Sequence, residues 1–295
     1  LLAVLAARTG RAVPVDDVPM TRTWRLAGLR LRGNTALSTG TLRASLVSRP
    51  RPWYTPWRAL PVFDPVAFRT DLERLHRAYE SHGYYRTRIA YDLELPADDG
   101  DRLQAVVDIE EGAPVVVDRV DVVPTGTVRP PDPPASLPLS RGDVFTEDAY
   151  DGGLAVLRRH YRERGYARVT VAKSARIDVD AGTASVTYGV DSGPASVFGD
   201  PVISGNATVT TDVIRRELAF TPGAPFRQSD LERTHDNLAA LNLFQTIRVE
   251  DAPGTGPDVD VRVAVVEAKP RQIQLGVGYD TEEEVRGLAT WRHYN

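Results

Sequence analysis

Residues 68–84 read FRTDLERLHRAYESHGY, and residues 150–166 read YDGGLAVLRRHYRERGY. In the first stretch Phe68, Leu72, Leu75 and Tyr79 are spaced i, i+4, i+7, i+11; Tyr150, Leu154, Leu157 and Tyr161 repeat that spacing in the second. Such a spacing lays one apolar stripe along a helix. Gly83-Tyr84 and Gly165-Tyr166 follow, again 82 positions apart. A glycine at that point predicts a helix stopped by a residue in the left-handed conformation, which glycine adopts without steric cost. Two helices alike in stripe, stop and offset mark an internal repeat.

A third copy starts from Asp71-Leu-Glu-Arg74, which recurs as Asp230-Leu-Glu-Arg233. Aligned on it, Leu231 matches Leu72, Leu238 matches Tyr79, and Asn242 matches Gly83. Asparagine is the non-glycine residue that best tolerates the left-handed conformation. Thr234 stands where Leu75 stands in the first copy, a departure from the stripe. Helix starts are expected at Asp64-Pro65, at Thr146, and at Ser229 with Glu232 as a capping box.

Each helix is followed by two β-like runs joined by an Asp/Gly-containing turn: 86–95 with 102–110, 168–179 with 184–190, and 246–250 with 259–267. Alternating or β-branched runs so bounded read as hairpins. A further strand precedes each helix, at 26–32, 116–123 and 197–204. Short helices fit at 39–47 and 212–218. In the second copy Arg129-Pro-Pro-Asp-Pro-Pro134 replaces that helix, because proline removes the N–H donors a helix needs. The unit is strand, helix, helix, strand, strand, and three units span Thr23 to Arg271. An insertion in the first unit falls at 50–62 and carries Trp53, Tyr54 and Trp57. These rings either form an exposed contact site or cover the first unit's own core or its junction to the second.

Beyond the third unit, Gln272 to Asp280 alternates strictly. Ile273, Leu275, Val277 and Tyr279 share one face; Gln272, Gln274, Gly276, Gly278 and Asp280 share the other. That dyad is the pattern of a membrane barrel strand. Residues 281–284 read as a polar turn, and 285–295 as a second strand in which Trp291 and Tyr294 are placed for an interfacial girdle. Leu1 to Ala7 reads either as the tail of a signal peptide or as a frayed or buried first turn of helix. The last residues read as a chain cut within a strand.

Composition excludes several classes. There are 36 basic and 40 acidic side chains, giving a net charge of -4, so no nucleic-acid partner is expected. No cysteine is present, which removes disulfides, thiolate metal sites and thiol nucleophiles. His76, His82, His160, His235 and His293 lack the spacing of a metal site. Asp178-Val-Asp-Ala-Gly182 is too short for a calcium loop. No catalytic, cofactor-binding or metal-binding residues are therefore assigned, and no enzyme activity is expected.

A tandem βααββ unit whose second helix ends in Gly-Tyr resembles the POTRA domain, arrays of which precede a membrane barrel in the Omp85 superfamily. GVGYDTEEEVRGLATWRHYN, from Gly276, is similar to the barrel opening of TamA-type members, as are the count of three units and the Leu137 to Asp143 lead-in to Phe145. Val285-Arg286-Gly287 is only a look-alike of the superfamily's inward-loop motif, since Leu288 follows it where an aromatic belongs.

The resemblance implies an α+β chain of three POTRA domains followed by the first strands of a transmembrane β-barrel. The boundaries are 1–22 leader, 23–114, 115–195, 196–271, and 272–295 barrel start. It implies an outer-membrane location with periplasmic POTRA units, and a non-enzymatic role in outer-membrane protein assembly or translocation. Unfolded client chains would add to the open edge strands, through Arg86, Ile89 and Tyr91, through Arg168, Val169 and Val171, and through Ile247 and Val249. The first barrel strand, with Ile273, Leu275, Gly276, Val277, Gly278 and Tyr279, would act as a lateral gate, since glycine weakens strand pairing. Further partners would be the lipid bilayer and a TamB-like inner-membrane protein. A BamA-type general assembly factor, a two-partner secretion transporter and a soluble POTRA scaffold are the alternatives.

Overall fold

The computed structural model describes residues 10–19, 21–52, 54–96, 100–268, 271–278 and 286–293; of 10–12, 271–278 and 286–293 it describes the backbone alone. Three sheets carry the repeats. The first contains β1 (Gly10–Val13), β2 (Arg25–Arg32), β3 (Arg88–Pro96) and β4 (Arg102–Glu110) in the order β1-β3-β4-β2. The second contains β5 (Val116–Pro124), β6 (Thr170–Asp178) and β7 (Thr183–Asp191) in the order β5-β7-β6. The third contains β8 (Val197–Ser204), β9 (Phe244–Asp251) and β10 (Asp258–Glu267) in the order β8-β10-β9. A separate antiparallel pair joins β11 (Arg271–Gly278) to β12 (Arg286–His293).

The helices match the sequence pattern. α1 (Thr39–Ser45) and α2 (Pro65–Ser81) serve the first sheet, α3 (Glu147–Arg162) the second, and α4 (Thr211–Arg216) and α5 (Gln228–Ala240) the third. No helix lies between β5 and α3, as the proline run dictates. Asp64 caps α2 by accepting the Val66 N–H at 2.8 Å, with Pro65 in the first turn. The Thr146 hydroxyl accepts the Ala149 N–H at 3.2 Å at the start of α3. Among the described residues no helix is long and apolar enough to cross a membrane.

Each hairpin's last strand sits in the middle of its sheet. β4 pairs antiparallel with β3 and parallel with β2, and β10 does the same with β9 and β8. Parallel neighbours need a crossover, and the helix pair supplies it. Val259, Val261, Val263 and Val265 of β10 alternate along the strand, and all are buried. Phe68, Leu75 and Tyr79 of α2 are buried against Leu103, Ala105, Val107 and Ile109 in the first core. Replacing a buried leucine such as Leu75 by alanine costs about 2–5 kcal/mol.

The departure at Thr234 has a physical reason. In the first repeat, buried Asp71 accepts the Val47 and Ser48 N–H groups at 2.9 and 2.7 Å, tying α2 to the segment after α1. In the third, the Thr234 hydroxyl accepts the Ala219 N–H at 2.9 Å and donates to the Asp230 carbonyl at 2.8 Å. The same segment is held, by a neighbouring position of the helix.

The fold divides into two compact units: residues 1–121, 138–153 and 174–187, and residues 122–137, 154–173 and 188–295. The division therefore passes through the middle repeat. In the first unit, β1 and the following 3-10 turn (Val15–Asp17) are part of the first sheet and core, with Val13, Val15 and Val18 buried. The leader expected up to residue 22 thus joins the first repeat from Gly10 onward.

The helix stops are left-handed, as read. Gly83 has φ 89°, Gly165 φ 92° and Asn242 φ 55°. The two glycines differ in space: a methyl on Gly83 would overlap the Phe145 carbonyl oxygen, whereas Gly165 has no neighbour closer than 3.9 Å. Gly165→Ala should therefore cost about 1–2 kcal/mol, the left-handed penalty alone. Gly83→Ala should cost clearly more. Urea unfolding of the two variants checks the order, and equal losses would refute it.

Candidate strand-docking edges

An edge strand offers unpaired N–H and C=O groups to another extended chain. The sheet orders put β3, β6 and β9 where such an edge would lie. They are not equivalent.

The first edge is half occupied. β1 pairs antiparallel with β3, Val13 against Leu93 through Gly10 against Pro96. The Val15 N–H also donates to the Tyr91 hydroxyl at 3.3 Å. The expectation of an open strand over 86–95 is corrected: only Arg88–Asp92 lacks an outer partner among the described residues. Ile89 and Tyr91 face the first core, and Arg86 lies before the strand.

The second edge begins at Thr170, so Arg168 and Val169 precede it. Val169 is buried at 5% exposure and cannot present its side chain to a client. Arg168 Nη1 donates to the Ala252 carbonyl at 2.7 Å and lies 3.6 Å from Asp251. Both side chains are thus held within the fold, ahead of the strand that forms the edge. Val171 is half-buried within β6.

The third edge is open along its length among the described residues. Ile247 and Val249 are half-buried against the third core. Val249 pairs with Val263, and the Ala252 N–H donates to the Asp260 carbonyl at 2.7 Å. Counting by two from Ala252 turns the backbone groups of Asp251, Val249 and Ile247 away from β10, toward the outer edge.

β11 holds Ile273, Leu275, Gly276, Val277 and Gly278, paired with Trp291, Ala289, Leu288, Gly287 and Arg286 of β12. Tyr279 lies outside the described residues, as do residues 1–7 and Trp53. Tyr54 and Trp57 are 62% and 77% exposed, so these two rings do not cover the core.

The junctions between repeats carry contacts that sequence reasoning missed. The Gly83 carbonyl accepts the Val115 N–H at 2.8 Å, and the Gly165 carbonyl accepts the Ser196 N–H at 2.7 Å. Arg77 donates to Glu147 at 2.5 Å; Arg159, 82 positions later, donates to Glu232 at 2.7 Å. Arg86 donates to the Asp180 carbonyl at 2.8 Å, as its counterpart Arg168 does to Ala252. The predicted capping box at Ser229 is not formed. The Ser229 N–H and hydroxyl donate to Glu163 at 2.7 and 2.9 Å, and Glu232 serves Arg159. A local motif was consumed by a neighbouring repeat. Phe63 and Phe226, buried before their helices as Phe145 is, were also missed, although the near-regular spacing of the three was visible.

Two carboxylates brace the loops after the first strands. Glu267 accepts the N–H groups of Ala207, Thr208 and Val209 at 2.7, 2.8 and 2.8 Å. Those bonds, that from Val209 foremost, hold its pKa down to about 2. Glu111 does the same work for Thr35 and Ala36 and also accepts from the Tyr79 hydroxyl at 2.9 Å. Desolvation pushes the Glu111 pKa up, but the donated hydrogen bonds outweigh it and the net direction is down. Burial, then Glu111, raises the pKa of Tyr79. Among the described residues no three His, Cys, Asp or Glu side chains gather as a metal site.

Residues 25–112, 135–193 and 197–268 match the POTRA family, described as surface antigen variable number repeat. The outer membrane protein assembly factor BamA of Neorickettsia risticii is 25% identical over 281 residues, 92% of this chain and 38% of its own length. BamA of Neisseria meningitidis serogroup B is 21% identical over 221 residues, 74% of this chain and 28% of its own length. The chain thus spans well under half of these relatives. The crystal structure of Haemophilus influenzae BamA POTRA3-5 superposes with a TM-score of 0.51 at 21% identity, covering 85% of this chain and 99% of that one, a likeness of fold.

The Glu267 bonds set a pH dependence. Its folded pKa lies below its ordinary value of 4.5, so the stabilisation is fully present above that value and is lost as pH falls toward about 2. Stability of the Glu267→Gln variant should fall less steeply than wild type between those pH values. Denaturant midpoints measured across that window check it, and parallel curves would refute it.

Proposed function

The chain belongs to the POTRA family, within the Omp85 superfamily, and from that membership we infer a part in outer-membrane protein assembly. Its POTRA units stand in the periplasm of a bacterium with an outer membrane. Boundaries near 114/115, 195/196 and 271/272 are proposed for the three units and for the segment that follows.

The proposed action is binding without covalent chemistry. An unfolded client in extended form adds a strand to the outer edge of β9, and secondarily of β6. Main-chain hydrogen bonds supply affinity with little demand on sequence, which suits a receptor for many clients. The observation that carries this reading is the outer edge of β9, unpaired among the described residues, with the backbone groups of Ile247, Val249 and Asp251 turned outward. Further in the proposal, β11 opens a membrane barrel and its Gly276 and Gly278 keep the first strand weakly paired, so that an incoming strand is templated there. Within the superfamily we propose a TamA-like arrangement, on the likeness of the segment from Gly276 to the barrel opening of TamA-type members. A TamB-like inner-membrane partner belongs to the same proposal.

A photo-crosslinking residue at Arg248, Gln245 or Ser174 in the native full-length protein tests the edge role. Adducts with unfolded outer-membrane clients are expected at these positions and not at Glu94, where β1 covers the edge. Equal capture at Glu94, or none at any edge, would overturn it. Retrieval of a large inner-membrane-anchored partner with the same protein supports the TamA-like arrangement; its absence leaves a general assembly role.

A further inference from the structure

We propose that the cleft beside β9 is a composite docking site for an extended acidic polypeptide segment, which adds to β9 while Arg158, on α3 of the preceding repeat, holds its carboxylate. This site is one of the edges inferred above, so its occupancy rests on that reading.

The cleft has a volume of about 480 Å³ and is formed by α3, α5 and β9. That is within the usual size range of ligand pockets. Leu154, Ala155, Leu231 and Val249 give it apolar walls. Its charges are matched, with one exception. Arg159 pairs with Glu232 at 2.7 Å, and Arg162 with Asp251 at 2.8 Å. Glu250 lies 3.4 Å from Arg248. Arg158 also lines the cleft, is exposed, and makes no hydrogen bond or ion pair among the described residues.

The occupant follows from two features. A row of outward N–H and C=O groups on β9 is satisfied by an extended chain and not by a helix, whose own backbone groups are already paired. The unmatched guanidinium beside apolar walls selects a carboxylate, which it can bind through two parallel N–H donors. Because α3 belongs to the preceding repeat, an isolated third repeat would keep the edge and lose the selectivity. The ion pair of Arg162 with Asp251 fixes the end of β9 against α3, which holds Arg158 in register with the strand.

The test is fluorescence anisotropy on the full chain with a labelled, end-blocked peptide of alternating Val and Thr bearing one Glu. The same peptide with Gln, with Lys, and with alternate backbone nitrogens methylated completes the set. The Glu peptide should bind about tenfold tighter than the Gln peptide. Arg158→Gln should erase that difference, and Arg158→Glu should shift preference to the Lys peptide. Arg158 is exposed, so both variants should keep the wild-type unfolding midpoint.

Equal binding of Glu and Gln peptides would overturn the Arg158 assignment; the edge reading would survive if methylation still weakened both. Binding indifferent to methylation, or no binding of any peptide, would overturn both. Displacement by free glutamate at the peptide's own concentration would reveal a small-anion site instead.

Discussion

The fold depends on where each second helix stops. At Gly83, Gly165 and Asn242 the backbone enters the left-handed region, turning the chain back toward its hairpin. In the first two repeats the carbonyl of that residue also receives an N–H from the segment leading into the next repeat. One conformational constraint therefore ends a helix and fixes the start of the following unit. A side chain at Gly83 would meet backbone, which cannot move aside as a flexible side chain could.

What was legible in the sequence was local. The apolar stripes, the left-handed stops, the Asp/Gly hairpin turns and the proline run in place of a helix each act within a few residues. Their physical signals are therefore adjacent in the chain. What was not legible spans distance. Ser229 and Glu232 have the spacing of a capping box, but Glu163 and Arg159 of the preceding repeat take their hydrogen bonds. Arg168 reads as an exposed residue at the head of a strand, yet Asp251 and Ala252 draw it inward. A repeat array adds such contacts at each junction, and no single-repeat pattern contains them. The counterparts Arg77 and Arg159, and Arg86 and Arg168, do carry a trace: arginines at the same offset as the helix stops.

Bracing of the loop after the first strand follows the same logic within repeats. Glu111 and Glu267 each lie at or just beyond the end of the central strand and accept N–H groups from the loop beginning at Gly33-Asn34 or Gly205-Asn206. The two loops share an asparagine whose side-chain amide donates to Leu37 or Val209. The middle repeat has neither the Gly-Asn pair nor the first helix. The asparagine loop and the helix it leads into are therefore present or absent together.

The covered edge of the first repeat bears on the open ones. β1 occupies the end of β3 through antiparallel pairing and fills the core beside it with Val13, Val15 and Val18. A sheet of this type thus accepts an added strand without rearranging its three core strands. In the first repeat the strand is supplied in the same chain, which blunts an edge that would otherwise invite indiscriminate pairing. β6 differs again: Thr170, Ser174 and Arg176 are exposed, and an added strand there would find few apolar neighbours. On β9, Ile247 and Val249 back onto the core, and the cleft walls continue that apolar surface. Backbone pairing alone gives weak and unspecific affinity. On the third edge, pairing is joined to a partly apolar cleft and to one charge unmatched among the described residues.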